Sequence, residues 1–185
     1  MMLIAAFINA PLLGIAQEKY SLQTLDVSIK GTSSLHDWEM KSDKGTCEAT
    51  VVVNKQNVSF SKLIFSLPAN SLKSGHGMMD KNTYKALDVK KNPIISFVLS
   101  SAKVTPIDAT TYQFKGIGNL TIAGATKETD LNAVCKYNAA DESFSCTGTK
   151  SFKMTEYSVK PPTVMLGTIK TGDAITITYK LKIKN

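Results

Sequence analysis

Apolar and polar residues alternate with a period of two along most of this chain, which limits it to strands buried on one face and wet on the other. Tyr112, Phe114, Gly116, Gly118, Leu120 and Ile122 share one face, against Thr111, Gln113, Lys115, Asn119 and Thr121. Near the C-terminus Ile175, Ile177, Tyr179, Leu181 and Ile183 alternate with Thr176, Thr178, Lys180 and Lys182. Eight such runs fall at about 19–32, 44–54, 57–67, 93–104, 110–122, 127–138, 143–152 and 172–184. Short turns between successive runs favour nearest-neighbour antiparallel pairing. Eight strands with one inward apolar face close into an up-and-down barrel, or divide into a two-sheet sandwich. One short helix is expected between the third and fourth strands, over about Met78–Leu87, where Met79, Thr83 and Leu87 repeat at helical spacing and Pro93 forbids continuation. A second irregular stretch, Lys153 to Thr171, carries Pro161-Pro162. Both insertions belong at the ends of a barrel.

Residues 1–16 read as a signal peptide: an apolar run too short to span a bilayer, ending in Gly14-Ile15-Ala16 with small residues at the −3 and −1 positions. Met1-Met2 supplies no basic n-region, so either translation starts upstream or the signal is atypical. The expected location is the periplasm or the exterior. Residues 17–185 show no linker or repeat and form one domain. The net charge is +7, and all 22 basic residues are lysine. A site gripping phosphate bidentately would use the guanidinium fork, which is missing here. The charge suits transient contact with an anionic membrane surface. No nucleic-acid or cofactor motif is present, and a homodimer is compatible with the pattern. Three cysteines in an exported chain suggest one bridge. A turn centred on Ala140-Asp141 sets Cys135 opposite Cys146, Tyr137 opposite Phe144 and Ala133 opposite Gly148.

Four blocks resemble the YceI-like family. They are Ser28 to Trp38 (SIKGTSSLHDW), Ser71 to Phe97 with its Ser-Leu-Lys-Ser-Gly turn and Pro-Ile-Ile-Ser-Phe strand, Gly116 to Lys127 (GIGNLTIAGATK), and Ser151 to Tyr157 (SFKMTEY). The third follows the family's Gly-x-Leu-Thr-(Ile/Leu)-x-Gly-x-Thr-Lys hairpin almost position for position. The resemblance implies a lipocalin-like antiparallel β-barrel holding a polyisoprenoid, prenylated quinone or fatty-acid derivative, with no bond chemistry. This chain departs from the family pattern at Lys153 (Arg in many relatives), at Met79-Asp80 (Arg-Asp) and at Tyr157-Ser158 (Phe-Gly). These changes weaken the case for a diphosphate head group.

Alternation puts Val27, Ile29, Phe65, Leu67, Ile95 and Phe97 on the inner face, together with Tyr112, Phe114, Tyr137, Phe144, Ile175, Ile177 and Tyr179. They either line a ligand cavity or fill a solid core. Gly116, Gly118 and Gly148, on or near the same face, would leave room for a ligand or mark bends. At the mouth, His36, Trp38, His76, Met78, Met79 and Lys153 are candidate neighbours of a head group. Trp38, Met78 and Met79 suit an apolar gate, or plain packing of the helix on the barrel end. His36 and His76 lie beside acids, but not in metal-binding or hydrolase spacing, so no catalytic or metal-ligating residue is assigned. Two alternatives to a carrier stay open on the sequence: a small hydrolase or isomerase using His36 or His76, and an interaction module with a solid core.

Overall fold

A computed structural model describes residues 17–54, 57–164 and 167–185. The segment read as a signal peptide lies outside the described residues. The strands are β1 (Glu18–Ser33), β2 (Trp38–Ser42), β3 (Thr46–Asn54), β4 (Asn57–Pro68), β5 (Ile94–Pro106), β6 (Thr111–Ile122), β7 (Ala125–Asn138), β8 (Ser143–Lys153), β9 (Thr163–Val164) and β10 (Ile169–Lys184). Helix α1 (Gly77–Ala86) joins β4 to β5. The main ring runs β1-β3-β4-β5-β6-β7-β8-β10 and closes where β10 pairs antiparallel with β1, from Ser21 opposite Lys184 to Ser33 opposite Thr171. It is a closed eight-stranded barrel.

Two short strands add to the eight. β2 covers the edge of β1 from Val27 to Gly31, beyond the stretch where β1 pairs with β3. Apart from Trp38, its five residues have little β-propensity, so pairing with β1 does most to make it a strand. Counting β2, the helix lies between the fourth and fifth strands rather than the third and fourth. β9 is a two-residue pairing with the start of β10.

The hairpins follow local turn chemistry. β6 and β7 meet at Ala123-Gly124, with φ of 50° and 81°, so both central residues take the left-handed conformation of a type I′ turn. β7 and β8 are joined through residues 139–142, with Cys135 opposite Cys146, Tyr137 opposite Phe144 and Ala133 opposite Gly148. Cys135 and Cys146 form a disulfide, with Cα atoms 4.0 Å apart. The loop it closes is short, so chain entropy limits its contribution to about 3 kcal/mol at most.

Bulges in β1, β4 and β5 change which residues face inward: in β1 Gln23 is extra, and the inward face passes from Tyr20 and Leu22 to Leu25 and Val27. In β4, Lys62 pairs with Thr50 but Phe60 with Val51, so Ser61 is extra and the inward face passes from Leu63, Phe65 and Leu67 to Phe60 and Val58. In β5 a similar shift between Leu99 and Ser101 passes it to Ala102 and Val104.

Candidate functional site

One end of the barrel is packed solid. Tyr20, Phe60, Tyr112, Phe114, Tyr137 and Phe144 meet there, with Phe60–Phe114 centroids at 5.2 Å, Tyr20–Phe144 at 5.5 Å and Tyr137–Phe144 at 4.8 Å. The tilted and edge-on ring contacts suit aromatic quadrupoles, and the rings are large enough to span the lumen. The other end is roofed by α1 and by residues 154–159. Helix residues Met79, Thr83 and Ala86 face inward, and Tyr157 and Val159 pack with Phe97, Leu120 and Ile122.

Between plug and roof lies a cavity of about 600 Å³, within the size range of small-molecule sites. Its walls are overwhelmingly apolar, with Val27, Phe65, Leu67, Ile95, Leu131 and Ile177 among them. Polar groups cluster towards the roof, where Ser33, His36, His76, Asn82 and Thr83 line it. Cys47 also lines the wall, and burial pushes its thiol up to about 12. Tyr157 is buried and lines the cavity, and burial pushes the pKa of its hydroxyl up.

The roof is held by a compact polar knot. The Asp80 carboxylate accepts from the Ser74 hydroxyl (2.7 Å) and the Ser74 N–H (2.8 Å), and these bonds hold its pKa below the ordinary carboxylate value. Tyr84 donates to the Leu72 carbonyl (2.7 Å) and accepts from Lys73 (2.7 Å). The Ser42 and Ser71 hydroxyls meet at 2.7 Å and tie β2 to the same turn. Met78 and Leu35 stand at the opening, 72% and 66% exposed.

The family model of the YceI-like domain matches residues 20–183. The chain belongs to the YceI-like family. Among solved structures, the crystal structure of Burkholderia cenocepacia BcnA is 19% identical, with a TM-score of 0.65 over 85% of this chain and 95% of its own. A polyisoprenoid binding domain from Saccharophagus degradans, implicated in plant cell wall breakdown, is 11% identical, with a TM-score of 0.65 over 89% of this chain and 97% of its own. The YceI protein of Campylobacter jejuni is 19% identical, with a TM-score of 0.57 over 75% of this chain and 81% of its own. At these identities the likeness is one of fold. A comparison with curated proteins finds no match.

In this YceI-like barrel the residues picked out by alternation divide between cavity and plug. Val27, Ile29, Phe65, Leu67, Ile95, Phe97, Phe114, Ile175, Ile177 and Tyr179 line the cavity. Tyr112, Tyr137 and Phe144 face inward but lie below it, in the aromatic plug. They sit near strand ends at the closed end, where facing rings meet and leave no space. At the mouth, His36, Trp38, His76, Met78 and Met79 line the cavity. Lys153 does not. Phe152 faces in, so its neighbour on β8 faces out, into an open groove with Lys30, Glu39 and Glu156.

Trp38 lies over Gly31 and donates its indole N–H to the Thr32 carbonyl at 2.9 Å. It is packed, and one side of it lines the cavity. The inward glycines do not leave ligand space. A Cβ on Gly118 would meet the Phe97 ring at 2.6 Å, and one on Gly116 would meet the Phe114 ring at 2.7 Å. The bare positions are occupied by neighbouring aromatic side chains. His36 Nδ1 lies 2.6 Å from the Asp37 carbonyl oxygen. Among the described residues, no three His, Cys, Asp or Glu side chains converge as a metal site would require.

Alternation could not find Phe60, which the β4 bulge turns inward, or Met40 of β2. Nor could it find Tyr157 and Val159, whose segment carries no period of two. The resemblance had singled out Tyr157 only as a departure from the family pattern.

Proposed function

We propose that this protein is a carrier that holds a long apolar molecule within its barrel. The observation that supports this most is the cavity: about 600 Å³, walled by apolar side chains and closed at one end by an aromatic plug. A solid-core module would lack that space. Each methylene moved from water into it contributes about 0.8 kcal/mol, offset in part by the entropy of ordering the chain. The solved polyisoprenoid binding domain shares this fold, which favours a polyisoprenoid, prenylated quinone or fatty-acid derivative as cargo. The reading is of non-covalent binding without bond chemistry, in the periplasm or outside the cell.

Loading would take place at a membrane surface. Lys81 and Lys85 are exposed on the face of α1 turned away from the cavity, and Met78 and Leu35, both exposed, line its opening. Such a mixture suits brief contact with anionic lipid.

The test is native mass spectrometry of protein exported by its own host, followed by organic extraction. A stoichiometric apolar molecule is expected. Protein that is empty, and that also fails to take up prenyl and acyl probes, would sink the carrier reading.

A further inference from the structure

Lys150 is the single lysine, aspartate or glutamate lining the cavity among the described residues. Its position is inward by register. On β8, Gly148 lies opposite Tyr179, Lys150 opposite Ile177 and Phe152 opposite Ile175, and those three partners all line the cavity. Directly opposed residues of an antiparallel pair share a face. An apolar residue would satisfy alternation here, yet the chain has a lysine whose side chain is only 21% exposed.

The lysine sits where the wall parts. The β7–β8 ladder stops at Ala133 opposite Gly148, although β7 begins at Ala125 and β8 continues to Lys153. Past that point side chains link the two strands to one another and to β10. The Tyr179 hydroxyl, from β10, crosses bare Gly148 to donate to the Asn132 carbonyl at 2.9 Å. Lys150 Nζ bonds to Asp130 on β7, and Asp130 also accepts from Asn132 Nδ2 at 2.8 Å. The two ends of the ion pair differ in setting: the Asp130 side chain is 57% exposed. Water can take over the solvation of Asp130, whereas the ammonium sits at the edge of an apolar chamber.

We infer that Lys150 is a head-group site, and that the cargo is an amphiphile with a single acidic group, carboxylate-like in charge. Its tail would lie in the cavity, and its acid would replace Asp130 on the ammonium at the parting of β7 and β8. A lone lysine suits a one-charge head; it lacks the planar fork that grips a diphosphate from two sides. This inference rests on the carrier reading and narrows it to acidic lipids.

Fluorescence titration with cis-parinaric acid and with its methyl ester tests it at neutral pH. The two share one tail and differ in charge. The wild-type chain should bind the acid about ten-fold more tightly, as a charge-assisted hydrogen bond warrants. Lys150→Met should bring the ratio of the two affinities to about one, and Asp130→Asn should raise it above wild type by freeing the ammonium. The ratio is the readout because a loosened cavity would weaken both probes alike. Equal affinities in the wild-type chain, or a preference that survives in Lys150→Met, would overturn the inference and leave the carrier reading standing. If neither probe binds, the inference falls, and the carrier reading is decided by native mass spectrometry and prenyl probes.

Discussion

At Gly148 the inner face of β8 is bare, and the Tyr179 side chain runs through that space to reach Asn132. A methyl group at 148 would collide with both the Tyr179 hydroxyl and the Asn132 backbone carbonyl. Gly148→Ala should therefore lower stability by about 1–3 kcal/mol, the usual cost of overpacking, read from urea denaturation. An unchanged midpoint would show that Tyr179 moves aside freely. Cys47 is 2% exposed, and burial raises its thiol from the ordinary 9.0 to about 12. Above pH 9 the unfolded chain releases a proton that the folded chain keeps, so stability is fully present below that pH and declines as pH rises towards 12. Tyr179, pushed up to about 12 by burial, acts in the same direction. Cys47→Ala should flatten, without abolishing, the alkaline fall in denaturation midpoint; an identical slope in the variant would count against this account.

At the scale of elements, α1 has two working faces. Met79, Thr83 and Ala86 close the cavity, while Lys81 and Lys85 point away from it. The segment from Ser71 to Asn92 holds five lysines against two aspartates. Asp80 is engaged by Ser74, and Asp88 lies 3.6 Å from Lys91. Lys81→Glu with Lys85→Glu should cut binding to phosphatidylglycerol vesicles by about five-fold for each charge removed. The same reversals at Lys115 and Lys136, exposed on β6 and β7, should matter much less. Flotation with vesicles compares the two pairs, and equal losses would mean only the net charge counts. The bulges in β4 and β5 belong to this scale too. Each adds one residue, reverses the parity of its strand and supplies inward side chains to the plug that the opposite parity would send to solvent.

For the molecule as a whole, the cavity is where packing stops. An aromatic plug and disulfide close one end, a helix roofs the other, and the volume between is large enough to accept added bulk. Ile177→Trp should fill part of that volume, leave the urea midpoint within about 1 kcal/mol of wild type, and reduce the cargo retained through native mass spectrometry. Full retention in a folded variant would place the cargo elsewhere.

Much of this was legible in the linear pattern, for reasons of local physics. A period of two identifies one-sided strands, Gly124 marks a turn between two of them, and the helical spacing of Met79, Thr83 and Leu87 marks α1. The turn at Ala140-Asp141 aligned Cys135 with Cys146 because residue count alone sets register in a short hairpin. The rest needed long-range contacts. β2 is a strand because β1 offers it an edge. Phe60 faces in because a bulge reverses parity. Tyr112, Tyr137 and Phe144 join a plug rather than a cavity because their rings meet across the closed end. Lys153 faces away from the cavity because Phe152 takes the inward place. Lys150 carried no motif; its importance comes from where the β7–β8 ladder ends. Sequence alone determined which faces are apolar and how neighbouring strands turn, since those depend on residues close along the chain. Only the tertiary structure decided where side chains fill the lumen and where they leave it open, since that depends on rings and strands brought together across the barrel.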